Sequence, residues 1–134
     1  LSTLEDILTT LGSSFHEFFS DEQGDDPVCR KEDVFVKEDD GVTIHWLIPN
    51  AQKKDIEPIL VTLQPGAKTE TDLPHMGEEF GYVLSGAVTL ELGGKSYRVR
   101  KGDSFSFKPS QQHNLKNTGK TPATVIWVCT PPNF

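Results

Sequence analysis

The hydrophobic period of the chain changes near residue 28. Before that point apolar residues recur at three- and four-residue steps, which is the spacing of one face of an α-helix. Gly12 interrupts the pattern and can end a helix in the left-handed conformation. The pattern therefore predicts two short helices, at 3–11 and 15–19. Their shared apolar face consists of Leu4, Ile7, Leu8, Leu11, Phe15 and Phe18.

An acidic stretch, SDEQGDDP, follows and has the composition of a linker. Beyond it, short apolar and β-branched runs alternate with turn signals such as Ser85-Gly86 and Gly93-Gly94. About nine such runs predict an all-β sandwich or barrel. We expect a helical segment at 1–20, a linker at 21–27 and one β-barrel domain at 28–134. The predicted strands are 34–36, 42–48, 56–63, 80–84, 87–92, 95–99, 104–107, 113–117 and 123–129.

The bulk composition limits the classes of function that the chain can have. The 134 residues suffice for one domain with a core, and the net charge of −7 lacks the basic footprint of a nucleic-acid-binding surface. No apolar run approaches the roughly 18 residues that cross a bilayer. Cys29 and Cys129 are a hundred residues apart and indicate no disulfide scaffold, although one bridge between them stays open. A reducing cytoplasm is the simpler expectation.

Two segments between Gly66 and Asn117 carry the candidate chemistry. The first holds His75 and, four residues later, Glu79, and the second holds His113 and, four residues later, Asn117. These segments resemble the two motifs of the cupin superfamily. The resemblance implies a cupin-type double-stranded β-helix, or jelly-roll barrel, after a short N-terminal helical segment. It also implies that both histidines and Glu79 point into one cavity.

The chain departs from the cupin pattern at three positions. The first histidine of the family falls on Leu73, the proline of the second motif on Lys108 and its glycine on Ser110. The barrel is therefore well supported by the resemblance, whereas the usual four-ligand metal site is not. At most three of the usual ligands remain.

The remaining ligand set is His75, Glu79 and His113. Two imidazoles and a carboxylate suit Zn²⁺, Ni²⁺, Mn²⁺ or Fe²⁺, and open positions at iron would permit oxygen chemistry. The alternative is a metal-free polar patch that hydrogen-bonds an effector. With or without a metal, we expect His75, Glu79, His113 and Asn117 to contact the effector.

Strand alternation assigns the neighbours of these residues. Only one of Glu78 and Glu79 can share the histidine side of a sheet, and we assign that side to Glu79. Val83 then faces the interior, while Phe80 and Tyr82 face outward, where a subunit interface is one interpretation.

Two interpretations remain for other side chains near the motifs. Glu70 and Asp72 precede His75 in a polar loop, where they either bind a cationic effector at the cavity mouth or are simply solvated. Phe105, Phe107 and Trp127 form either pocket walls or ordinary core.

The N-terminal phrase STLEDILTTLGSSFHEFF resembles the last two helices of the small helix-turn-helix domain of phage-type repressors. With the acidic linker, the cupin core and the Thr-Pro-Pro-Asn-Phe end, the whole chain resembles the C-terminal part of helix-turn-helix/cupin transcription regulators. The resemblance implies a cytoplasmic, dimeric sensor of a small molecule. Operator DNA would be bound only through a domain absent from this chain.

The function expected from this resemblance is effector sensing and dimerisation rather than catalysis, and no catalytic residue is assigned. No nucleophile–base pair or phosphate-binding loop is visible in the sequence. Two alternatives remain open. One is a metal-dependent cupin dioxygenase or isomerase that uses His75, Glu79 and His113, and the other is a stand-alone metabolite-binding cupin.

Overall fold

In the computed structural model, residues 27–134 are described, and they form nine β-strands and two 3-10 helices, Lys31–Asp33 and Ala51–Lys53. The all-β prediction is confirmed. The helices predicted at 3–11 and 15–19, and nearly all of the linker, lie outside the described residues. The strands are β1 Phe35–Asp39, β2 Val42–Trp46, β3 Glu57–Leu63, β4 Glu78–Ser85, β5 Ala87–Leu92, β6 Lys95–Arg100, β7 Ser104–Phe107, β8 His113–Lys116 and β9 Ala123–Thr130.

Two antiparallel sheets make up the barrel. One sheet has six strands in the order β1-β2-β3-β9-β4-β7, and the other has three in the order β6-β5-β8. The last strand lies between β3 and β4, pairing Ala123 with Leu63 and Cys129 with Glu79. This central insertion brings the C-terminal end of the chain beside the start of β4.

The core lies between the two sheets. Buried and half-buried residues alternate along β3 and β9, as a period of two requires when one face of a strand points inward. Full burial of one large aliphatic or aromatic side chain contributes about 1.5–3 kcal/mol. The buried apolar cluster comprises Val42, Ile59, Val61, Leu63, Ala67, Val83, Val88, Leu90, Val99, Phe105, Leu115, Ala123, Val125 and Trp127.

The loop before β4 is tied to β8 by backbone hydrogen bonds. Asp72 and His113 each donate a backbone N–H to the other's carbonyl, at 2.8 and 3.1 Å. Thr69 donates to the carbonyl of Leu115 at 2.9 Å, and His75 donates to that of Pro109 at 2.8 Å. The two predicted motifs are therefore joined before any side chain is considered.

Several strand ends differ from the prediction. β4 begins at Glu78 rather than at residue 80, because Glu78 pairs with Thr130 of β9. β2 ends at Trp46 rather than at residue 48, because the chain turns into the 3-10 helix at Ala51. Such ends depend on long-range partners. No helix among residues 27–134 is long and apolar enough to cross a membrane.

Both cysteines are free, and Cys129 is buried while Cys29 is half-buried. The disulfide alternative is therefore wrong for this structure.

The packing of Gly81 against Phe105 yields a stability prediction. A methyl group on Gly81 would lie 2.1 Å from Phe105 Cζ, and that ring packs edge-on against Trp127 with centroids 6.1 Å apart. We predict that Gly81→Ala lowers the free energy of unfolding by about 1–3 kcal/mol through overpacking, measured by urea denaturation. The double variant Gly81→Ala/Phe105→Leu should recover part of this loss. An unchanged unfolding midpoint in Gly81→Ala would contradict the packing.

Candidate functional site

Three side chains contact one buried carboxylate, that of Glu79. Its exposed fraction is 1%, and its Oε1 accepts a hydrogen bond from Trp127 Nε1 at 2.7 Å. Its Oε2 lies 2.7 Å from His75 Nε2 and 2.8 Å from His113 Nε2. The structure thus brings together the two histidines and the glutamate of the sequence motifs. We call these three residues the Glu79 cluster.

His75 reaches the cluster from a tight loop rather than from a strand. Gly77, two residues later, has a φ of +109°, and a Cβ there would lie 1.7 Å from the carbonyl oxygen of Thr130. Only glycine tolerates this close approach of the loop to the end of β9. His113 is the first residue of β8, in the three-stranded sheet.

In both imidazole rings, each of the two nitrogens lies near an oxygen atom. Nδ1 of His75 lies 3.0 Å from the carbonyl of Met76, and Nδ1 of His113 lies 2.9 Å from that of Gln111. A neutral imidazole carries only one N–H. If Nδ1–H donates to the carbonyl, Nε2 presents a lone pair to the carboxylate, which requires a proton or a metal cation at that point.

This donor set fits a divalent metal. A backbone carbonyl on Nδ1–H is a usual partner that orients a metal-binding histidine. Nε2 of His113 is buried and has no aligned hydrogen-bond partner, although Glu79 Oε2 is only 2.8 Å away. A buried ring nitrogen that lies close to a carboxylate but is poorly aligned for a hydrogen bond to it is an arrangement that a bound cation would also satisfy.

Asp72 adds a second carboxylate beside His113, with Oδ2 3.4 Å from Nε2. Burial of the ring lowers the pKa of His113, but Asp72 and Glu79 more than offset this effect and raise the pKa to about 10. The metal-free ring is therefore an imidazolium at neutral pH. Phe107 packs edge-on against the same ring at 5.0 Å between centroids and helps to keep water away.

Cys129 lies directly across the ladder from Glu79 and is fully buried. Its thiol donates to the carbonyl of Pro131 at 3.2 Å. Burial raises the pKa of Cys129 to about 12, helped by the negative charges of Glu79, Glu57 and Asp72. The thiol is therefore protonated at neutral pH and is a poor nucleophile. The donor atoms of His75, Glu79 and Cys129 all lie within 4.8 Å of one another.

A cavity of about 400 Å³ adjoins the Glu79 cluster. Its floor is apolar, and its walls include the aromatic rings of Trp46, Trp127 and Phe134. This volume is within the usual range for sites that bind small molecules. Four carboxylates and two lysines also line it, namely Asp39, Asp40, Glu70, Asp72, Lys37 and Lys68.

The C-terminal tail closes one side of the cavity. Glu57, only 5% exposed, accepts hydrogen bonds from the backbone N–H groups of Asn133 and Phe134 at 3.0 and 2.6 Å. The Phe134 ring then packs against Trp127 with centroids 5.2 Å apart. A buried carboxylate in β3 therefore fixes an aromatic wall of the cavity.

Leu73 and Asn117, two further motif positions, have surroundings that differ from those of the Glu79 cluster. Leu73, at the position of the missing histidine, is 69% exposed. The Asn117 amide donates to the carbonyls of Leu63 and Thr121 at 3.0 and 2.8 Å and accepts from Gly119 N–H at 2.9 Å. Because these bonds order the turn after β8, we leave Asn117 out of the proposed ligand contacts.

Sequence reasoning missed three contacts: Trp127 with Glu79, Asp72 with His113, and Cys129 beside Glu79. The sequence shows that Trp127 and Cys129 alternate along β9, which indicates that both share one face. The sequence does not show which strands pair with β9.

Comparison with known proteins identifies the type of barrel. The Cupin domain model Cupin_2 matches residues 59–129. The HTH-type transcriptional regulators PuuR of Escherichia coli and Shigella flexneri are each 31% identical over the whole chain, which covers 74% of their length.

Two solved structures show the same fold. The Cupin_2 domain of an XRE family transcriptional regulator from Enterobacter cloacae aligns with a TM-score of 0.62 and 19% identity, covering 69% of this chain and 99% of that one. A predicted oxalate decarboxylase from Thermotoga maritima aligns with 0.67 and 20%, covering 77% and 97%. At these identities the structures establish the jelly-roll fold alone.

The buried tail anchor yields a prediction on pH. Burial raises the pKa of Glu57 above its ordinary 4.5, and the hydrogen bonds from Phe134 and Asn133 offset only part of this. Its stabilising contribution is therefore full below the unfolded-state pKa and is lost as the pH rises through the folded-state pKa. Glu57→Gln keeps the acceptor oxygen without the charge. We expect its stability relative to the native chain to increase as the pH rises from about 4 to 7.

Urea denaturation of both proteins across this range measures the difference. Glu38→Gln, at an exposed position of β1, is the matched control for losing one surface carboxylate. A stability difference between Glu57→Gln and the native chain that does not change with pH would contradict the effect of burial.

Proposed function

Because the chain belongs to the cupin family, and within it to the helix-turn-helix/cupin transcription regulators, we propose that it is the effector-sensing and dimerising part of such a regulator. The observation that carries the proposal is the 400 Å³ cavity beside the Glu79 cluster. A cavity of this size with an apolar floor and a few converging polar groups is typical of a small-molecule site.

The charges around the cavity favour a cationic effector. Four carboxylates face two lysines there, so the lining carries an excess of two negative charges. The aromatic rings of Trp46 and Trp127 line the cavity, and an aromatic ring attracts an ammonium group placed over its face. The apolar floor, formed by residues such as Ile44 and Val61, suits a hydrocarbon body. We therefore propose an organic amine as the effector class.

Two side chains connect this cavity with the Glu79 cluster. Trp127 lines the cavity and also donates its indole N–H to Glu79. Asp72 lines the cavity and also lies 3.4 Å from His113. An effector that moved either side chain would change the surroundings of both histidines.

We further propose that His75, Glu79 and His113 hold a divalent transition metal, of which Zn²⁺, Ni²⁺, Mn²⁺ and Fe²⁺ are candidates. The converging imidazole nitrogens support this part of the proposal. A metal there would supply a fixed positive charge inside the barrel. The protein's own part is to hold both rings by their Nδ1 contacts with backbone carbonyls and to keep the site dry with Phe107.

Dimerisation is assigned to the outer face of the six-stranded sheet. Phe80 and Tyr82 are 44% and 39% exposed, in agreement with the strand alternation. The ladder aligns them with apolar residues of β9 and β3. A two-fold interface formed by this face would bury a continuous apolar surface. The surface comprises Phe80, Tyr82, Leu84, Val128, Ile126, Leu60 and Pro58.

In this proposal the protein acts in the cytoplasm through linkage. Residues 27–134 contain no α-helix that could enter a DNA groove, so operator DNA would be read by a helix-turn-helix domain outside them. An effector that prefers one arrangement of the dimer shifts the spacing of two such domains by its differential affinity.

The enzyme alternative, a metal-dependent dioxygenase or isomerase, gains no support from the solved structures. Their identities of about one fifth show a shared fold, and this fold carries many functions.

The effector class yields a prediction on charge. We expect hexylamine to bind the native chain more tightly than 1-hexanol or hexanoic acid, because only the amine matches the acidic lining. Asp72→Asn should weaken hexylamine binding by about three- to tenfold, as loss of one partly screened charge contact implies, while 1-hexanol binding stays constant. Isothermal titration calorimetry measures both.

Glu78→Gln is the control, because Glu78 is exposed and does not line the cavity. Preference for hexanoic acid, or equal effects of Asp72→Asn on the amine and the alcohol, would contradict the proposed effector class.

The outer face yields a prediction on assembly. We expect a dimer at micromolar concentration, and we expect Phe80→Lys to convert it to a monomer by introducing a charge into the apolar interface. Sedimentation velocity measures the change. Tyr97→Lys, at a residue that is 46% exposed on the three-stranded sheet, is the matched control and should remain dimeric. A native monomer, or a dimeric Phe80→Lys variant, would contradict this assignment.

A further inference from the structure

We propose that Cys129 is a thiolate ligand of the divalent metal, together with His75 and Glu79, and that the site therefore selects a thiophilic ion such as Zn²⁺. This inference rests on the metal part of the proposed function and names a ligand that lies in neither sequence motif. Cys129 and Glu79 are direct partners in the β4–β9 ladder. Opposite residues on one face have Cβ atoms about 4.5–5.5 Å apart, so both side chains enter the barrel at one point.

The donor atoms are close enough for coordination after a small movement. Those of His75, Glu79 and Cys129 all lie within 4.8 Å of one another. Tetrahedral zinc with Zn–S of 2.3 Å and Zn–N of 2.0–2.1 Å separates sulfur and nitrogen by about 3.6 Å. Because 4.8 Å is the upper limit, the gap to close is at most about 1 Å, and closing it requires the Cys129 thiol to leave the Pro131 carbonyl.

Metal binding by Cys129 requires no oxidant or reductant. The S–H bond of Cys129 breaks, its proton passes to water and a sulfur–metal bond forms. The metal is supplied from solution, and no electron is transferred.

An independent observation indicates a cation at this point. The His113 side chain is completely buried, and its Nε2 has no aligned hydrogen-bond partner although Glu79 Oε2 lies only 2.8 Å away. A shared cation would satisfy His113 and would draw the Cys129 sulfur toward the same position.

Cys129 also supplies a ligand in place of the histidine that the first motif lacks. Leu73, where the cupin pattern has its first histidine, is 69% exposed and has no donor atom. The fourth ligand would then come from β9 instead of the loop before β4. Because sulfur is a softer donor than imidazole, its inclusion favours Zn²⁺ over Mn²⁺, which prefers oxygen ligands.

Titration of the full 134-residue chain with Co²⁺ tests the ligand, because a cobalt–thiolate bond produces a charge-transfer band in the near ultraviolet. We expect the band in the native chain and in Cys29→Ser, since Cys29 lies outside the cluster. In Cys129→Ser we expect the band to disappear. We also expect metal affinity to fall by at least about tenfold, the smaller of the losses seen when an outer-shell partner is removed.

X-ray absorption on zinc-loaded Cys29→Ser provides a measurement that leaves Cys129 unaltered, in case Cys129→Ser fails to fold. A sulfur scatterer at about 2.3 Å from zinc supports the proposal. A zinc shell of nitrogen and oxygen alone overturns it and leaves the histidine–glutamate site standing. Failure to bind either metal overturns the thiolate ligand and the proposed metal site together, while the amine cavity is tested separately by hexylamine.

Discussion

The buried carboxylate of Glu79 is the interaction on which the rest of the site depends. A carboxylate that is 1% exposed is costly to bury unless it is hydrogen-bonded and paired with positive charge. Here one oxygen accepts the indole N–H of Trp127 and the other faces both imidazoles. Removal of one partner from a buried ion pair typically costs about 3–5 kcal/mol. The cluster therefore constrains β4, β8 and β9 together.

Much of the barrel could be predicted from periodicity, because the alternation of apolar and polar residues in each strand indicates which face points inward. The inward side chain of Val83 and the outward side chains of Phe80 and Tyr82 follow from alternation alone. His75, Glu79 and His113 could be expected to meet because their spacing resembles a known pair of motifs. The fold of the N-terminal segment, in contrast, lies outside the described residues.

The rest of the site could not be predicted, because it depends on which strands are neighbours. Cys129 is close to Glu79 only because β9 inserts between β3 and β4. Asp72 meets His113 through a two-residue bridge of the backbone, which has no sequence signature. Similarly, Asp39 at the end of β1 and Asp40 directly after it line the same cavity as Glu70 through tertiary structure alone. Long-range register, rather than local propensity, decides the chemistry of this cavity.

The protonation state of His113, followed by long-range ¹H–¹⁵N NMR, tests the role of the Glu79 cluster most directly. We expect an imidazolium with both ring nitrogens protonated at neutral pH without metal, because the pKa of His113 is raised to about 10. On addition of Zn²⁺, the Nε2 proton should leave while the Nδ1 proton stays on the Gln111 carbonyl. A neutral His113 ring in the metal-free protein, or an Nε2 proton that persists with excess zinc, would contradict the central role of the Glu79 cluster.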